Sequence, residues 1–189
     1  MARLVHSVRP AVAAVAALAV IIVVPPLVDA AIPTRETPIS AGTEVTLTAT
    51  GIGAVHGTAD PSNGVSFQAP EAMRRIATGD ISTGIFESDI GEQRLGVSVV
   101  DGITDFDTAA PRLLLPLRAA GREVHFDGNV IDAGAFHGVL CVLPDTAGGV
   151  CAVANSGDIA VTITVTGPTR EAGRALIQAV LASSRAVRV

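Results

Sequence analysis

The chain predicts an α+β fold: an N-terminal transmembrane helix, then an antiparallel β-sheet domain with one or two helices packed on it, including a C-terminal helix. Three observations carry this. An uncharged apolar run spans Ala11 to Val28. From Glu44 to Thr166, apolar and polar residues repeatedly alternate with period two between glycine-containing turns, the pattern of half-buried strands. Beyond Pro168 the spacing turns helical, with Leu176, Ile177, Val180 and Leu181 on one side and Arg170, Glu171, Arg174 and Gln178 away from them.

The apolar run, AVAAVAALAVIIVVPPLV, is about the shortest that crosses a hydrocarbon core of roughly 30 Å as a helix. Arg3 and Arg9 precede it, and no arginine follows until Arg35. The positive flank therefore stays cytoplasmic and the bulk of the chain is expected outside. The resulting organisation is a cytoplasmic tail over 1–10, a transmembrane helix over 11–28, a linker over 29–42 and an extracytoplasmic domain over 43–189. The same run also fits the apolar core of a signal peptide, with Val28-Asp29-Ala30 as a small-residue cleavage site. Pro25 and Pro26 suit either outcome, since proline ends a helix at a bilayer exit or ahead of a cleavage site.

Composition narrows the function. From Ala31 onward seventeen carboxylates face eleven arginines, so the exported part is acidic and offers no electrostatic footprint for nucleic acid. Lysine is absent, which excludes phosphate loops of the Walker type, Schiff-base chemistry and serine–lysine pairs. Tryptophan and tyrosine are absent and there are five phenylalanines, so stacking platforms for bases or sugars are poorly supplied.

Along the exported part, Ile32 to Gly42 is polar and proline-containing, as an extended linker would be. Glu44 to Thr50 alternates as a strand, Ala54 to Thr58 pairs back after Gly51 and Gly53, and Val65 to Gln68 forms a short strand after the Asp60 to Gly64 turn cluster. Pro70 to Ala77 suggests two helical turns with proline first, or a ligand-facing loop. Arg94 to Asp101 returns to strand character. Asp101, Asp105 and Asp107 concentrate negative charge without the ligand order of a calcium loop, and a helix N-cap at Asp105 or Thr108 is the expected role. The helix that follows, Thr108 to Ala120, carries Leu113, Leu114 and Leu117 on its apolar face and is kinked or shortened by Pro116.

Strands are expected at Glu123–Phe126, Asn129–Asp132, Ala135–Val142, Val150–Asn155 and Asp158–Thr166, forming an antiparallel meander with the last one central. Gly167-Pro168 ends that strand and opens the C-terminal helix, with proline in its first turn.

Cys141 and Cys151 sit nearly symmetrically about the Pro144 to Gly149 turn, so their side chains face each other across a hairpin. Two thiolates with no histidine in register make a poor zinc set, whereas outside the membrane thiols oxidise and bridges persist. A structural disulfide is expected. His125, Asp127, Asp132 and His137 fall in one short region, but their spacing is no metal signature, and His125 alternates with Val124 and Phe126 as a surface strand residue does. No G-x-S-x-G elbow is present. No catalytic residue, cofactor or metal is assigned.

From Cys141 to Val189 the chain carries the cysteine-bearing hairpin, the strand IAVTITV and the segment GPTREAGRALIQAVLASSRAV. This run resembles the C-terminal part of many small actinobacterial exported or single-pass membrane proteins, some of which resemble the Mog1/PsbP-like α+β fold, an antiparallel sheet with a helix against it. The resemblance implies fold alone and brings no catalytic residue.

The expected function is a membrane-anchored extracytoplasmic interaction or scaffold module of the bacterial cell envelope, not an enzyme. Its partners are the membrane, through residues 11–28, and another envelope protein. One alternative is an exported small-molecule or lipid-binding domain, in which Ile85, Phe86 and Leu113 to Leu117 line a groove between helix and sheet. A second is a secreted protein released by cleavage near Ala30.

Overall fold

A computed structural model describes residues 36–51, 63–88 and 92–188. The apolar run 11–28, its possible cleavage site and the strand expected at 54–58 lie outside the described residues. Among the described residues no helix is long and apolar enough to cross a membrane. What is described is mostly antiparallel sheet with a few helices, one of them C-terminal.

The strands are β1 (Glu36–Ile39), β2 (Glu44–Thr48), β3 (Thr50–Gly51), β4 (Gly64–Gln68), β5 (Met73–Ile76), β6 (Thr83–Ser88), β7 (Arg94–Asp101), β8 (His125–Ala133), β9 (Phe136–Val142), β10 (Val150–Ser156), β11 (Ile159–Thr166) and β12 (Arg185–Val187). The helices are α1 (Phe106–Leu113), α2 (Leu115–Ala119) and α3 (Arg170–Ser183). The main sheet runs β1-β5-β6-β7-β11-β10-β9-β8, and β3 pairs in parallel with β7. The last four strands of that order form the expected meander, and β11 lies in the interior of the sheet. A second sheet, β12-β4-β2, was not foreseen from the sequence.

The main core lies on one face of the large sheet. Leu95, Val97 and Val99 of β7 stand opposite Val165, Ile163 and Val161 of β11, and all six are buried. Since strand side chains alternate between faces, these six share one face. They cluster with Leu47, Val65 and Phe67 of the small sheet and with Leu176, Ile177, Val180 and Leu181 of α3. The helix approaches closely because position 173 is glycine: a Cβ there would meet a methyl of Val150 at 2.6 Å. Thr169 caps α3, its hydroxyl accepting from the Ala172 amide at 3.2 Å. Pro168 thus precedes the cap, outside the first helical turn where it was expected. The chain then runs straight into β12, which docks on β4 beside β2.

Four segments differ from the sequence expectation. Residues 36–39 of the linker form an edge strand on β5, where Pro38 is tolerated because an edge leaves one side of its backbone unpaired. Residues 73–76 are strand, not helix: pairing with both β1 and β6 outweighs the local helical propensity of MRRI. Asp127-Gly128 is no turn; it is an irregularity within one continuous strand, β8, where the register shifts between Phe126 and Val130. The helix expected over 108–120 is divided at Leu114 into α1 and α2, with Pro116 in the first turn of the second.

Candidate functional site

The described residues cover the second face of the large sheet over only part of its width. There α1 and α2 lie against β9 and β10, and Ala110, Leu114, Val124, Leu143 and Val153 form a buried cluster around Cys141 and Cys151. The two cysteines are register partners, bonded, with Cα atoms 4.7 Å apart. Asp105 caps α1: its carboxylate accepts from the Thr108 amide at 3.3 Å and from the Thr108 hydroxyl. Those bonds, the hydroxyl's first, hold the Asp105 carboxyl below its usual range. The acidic stretch 101–107 therefore works as a helix start.

Beyond the helices no described element covers the second face of β6, β7 and β11, and among the described residues a groove opens between it and α1–α2. It has two lobes of about 340 and 360 Å³ that share Ile85, Gly96, Leu117 and Thr164. The first is largely apolar, walled by Leu113, Pro116 and Leu117 over a floor that includes Ser98, Val100 and Thr162. The second is polar at its mouth, with Arg94, Arg122, Thr146 and Thr166. Arg112 stands at the far end of the first lobe.

Local chemistry explains this shape. Ser98 faces Thr83 on one side and Thr162 on the other, while Gly96 faces Ile85 and Thr164, so small and hydroxylated residues pave the floor. A Cβ on Gly96 would come within 2.6 Å of the Thr164 hydroxyl oxygen. The helical wall is tied down at its end. Arg118 donates to the Val124 carbonyl at 3.3 Å, and Arg122 donates through Nε to Asp145 at 3.0 Å and through its terminal nitrogen to the Thr146 hydroxyl. The segment after α2 is thereby fixed to the turn of the disulfide hairpin. Glu87 and Arg94 form a solvent-accessible ion pair at 3.9 Å without a hydrogen bond. Among the described residues no carboxylate lines either lobe.

Of the residues named from the sequence as groove lining, Ile85, Leu113, Pro116 and Leu117 border these lobes, whereas Phe86, Leu114 and Leu115 do not, Leu114 being buried in the cluster around the cysteines. Phe86 points the other way, fully buried and edge-on to Phe67 with ring centroids 5.8 Å apart. Adjacent strand residues face opposite sides of a sheet, so Ile85 and Phe86 are never lining partners. Gly96, Thr164, Arg94 and Arg122 were missed, because only strand register brings β7 and β11 beside β6.

The histidine region does not converge. His137 Nδ1 lies 2.6 Å from Asp132 in a pair that is mostly solvent-exposed, while His125 stands at the other end of β8. Asp127 is engaged by Arg174 of α3 at 2.7 Å and by the Asn129 amide at 2.9 Å. Among the described residues no group of three or more potential metal ligands is found. Comparison with protein-family models finds no match, and comparison with curated protein sequences finds none.

Proposed function

We propose that the domain is an exported binding module that receives an apolar or amphipathic small molecule in the groove between α1–α2 and the β6-β7-β11 face. The groove carries this reading. It is concave, its volume falls within the range of small-molecule sites, and its walls are apolar with a few placed polar groups. Among the described residues the lining holds hydroxyls and guanidiniums but no carboxylate, histidine or thiol, which favours binding over acid–base or nucleophilic chemistry. The bonded cysteines fit an oxidising compartment. In this proposal residues 11–28 carry the chain across the membrane and either anchor it there or are removed near Ala30.

A second reading, an interaction module for another envelope protein, draws on the edge of the sheet. Among the described residues nothing pairs with the outer side of β8, and Val130 on that strand is 72% exposed. One experiment separates the two. Full-length protein in lipid nanodiscs is irradiated with a diazirine-bearing dodecanol, and the labelled peptides are mapped. The groove reading expects saturable labelling on β6, β7, β11 and α1–α2, suppressed by excess dodecanol. Labelling that is diffuse, or concentrated on β8, rejects it.

A further inference from the structure

The ends of the groove differ in charge from the rest of the domain. The exported part is acidic, yet the charged side chains among the described residues lining the groove are Arg94, Arg122 and Arg112, of which Arg122 is paired with Asp145 and Arg94 lies 3.9 Å from Glu87. We infer that the occupant is a single-chain carboxylate amphiphile, a free fatty acid, with its head on Arg94 and Arg122 and its chain along Ile85, Leu117, Leu113 and Pro116. This inference rests on the groove being the ligand site.

Three features orient the molecule. First, Arg94 and Arg122 border the same lobe together with the hydroxyls of Thr146 and Thr166, whereas Arg112 is the one arginine lining the other, mainly apolar lobe and has Asp105 beside it. A carboxylate accepts several hydrogen bonds, and a paired arginine site with hydroxyls meets that need better than one guanidinium. Second, Arg122 is held in advance. Asp145 takes its Nε–H and Thr146 one terminal N–H, so the side chain loses little freedom when a ligand accepts from its other donors. Third, the volume suits one chain. Each lobe lies near the lower end of the small-molecule range, and the two overlap along Ile85 and Leu117 in a continuous track from cationic mouth to apolar end.

Such a site takes hydroxyl-capped chains weakly and acid-capped chains well, because a charge-assisted contact is stronger than a neutral one. The test uses the full-length protein in neutral-lipid nanodiscs with three diazirine probes of one chain length: an acid, an alcohol and a phosphate monoester. Each is titrated against wild type and against Arg94→Gln, Arg122→Gln, their combination and Arg112→Gln. Retained melting behaviour and an intact disulfide confirm that each variant is folded.

The acid is expected to label groove peptides at concentrations roughly tenfold or more below the alcohol. The double variant should erase that difference, each single variant should reduce it, and Arg112→Gln should leave it intact. Equal labelling by acid and alcohol overturns the head-group assignment while leaving the groove reading standing. A loss caused by Arg112→Gln instead reverses the orientation and overturns it as well. Preference for the phosphate monoester over the acid overturns the carboxylate. No groove labelling by any probe removes the underlying reading.

Discussion

Cys141 and Cys151 stand directly opposite each other on β9 and β10, and the bond between them is sealed beneath the helices that wall the groove. The bridge thus joins the two strands whose connecting turn also carries Asp145 and Thr146, the partners of Arg122. Breaking it as Cys141→Ala with Cys151→Ala should cost about 2–3 kcal/mol, since the closed loop is short. For a domain of this size that lowers the melting point by roughly 5–10 °C. Scanning calorimetry of the double variant checks the value, and an unchanged melting point contradicts the stabilising role.

The C-terminal helix should tolerate change on one side only. Val180 is fully buried in the main core, while Gln178 two residues away is exposed. Val180→Asp places an unpaired charge among apolar side chains, which is prohibitive, and should abolish folded protein. Gln178→Asp should shift stability by no more than about 0.5 kcal/mol. Comparable yields and melting of the two variants reject the packing of α3 on the sheet.

The helix start at Thr169 offers a graded version of the same test. Its hydroxyl caps the Ala172 amide at 3.2 Å. Thr169→Ala should cost about 1 kcal/mol and Thr169→Ser close to nothing, read from urea midpoints. Equal losses from the two substitutions contradict the cap.

Acid should destabilise the domain through particular carboxylates. The Ser82 amide, then the hydroxyls of Ser82 and Thr83, hold Asp80 below its ordinary range despite the opposing effect of burial. For Asp127, burial raises the value, but Asn129 and Arg174 together outweigh it and the net direction is again down. A folded-state value below the unfolded one, about 3.9, means that each group stabilises the fold above about pH 4 and loses that contribution as pH falls through the folded-state value. Urea midpoints of wild type should therefore decline between about pH 4 and pH 2, and Asp80→Asn should decline less steeply over the same window. An equally steep decline for the variant removes Asp80 from the account.

The elements legible in the sequence were those with a strong internal period. Ile159, Val161, Ile163 and Val165 announce β11, and Leu176, Ile177, Val180 and Leu181 announce α3, because one face of each is buried by packing that does not depend on exact partners. The cysteine pair was legible because its two residues flank one short turn. What stayed hidden depends on register between distant segments. Arg185 to Val187 is too short to show a period and is strand because β4 lies beside it. Met73 to Ile76 resembles a helical turn until β1 and β6 flank it. In the groove, Ile85, Leu113 and Leu117 were visible as apolar residues in need of cover. Gly96, Thr164, Arg94 and Arg122 were not, since nothing local marks a glycine or threonine as floor or an arginine as rim.

The proposed ligand site is the face of β6, β7 and β11 that no described element covers. Methyl-resolved NMR of the full-length protein in nanodiscs, titrated with dodecanoate, tests it most directly. Binding in the groove gives saturable shifts at the methyls of Ile85, Leu113 and Leu117, with Leu47 and Ile177 on the opposite face unmoved, and the shifts are lost in Ser98→Leu, which fills the floor. Unmoved groove methyls, or shifts confined to Val130 on the β8 edge, contradict it.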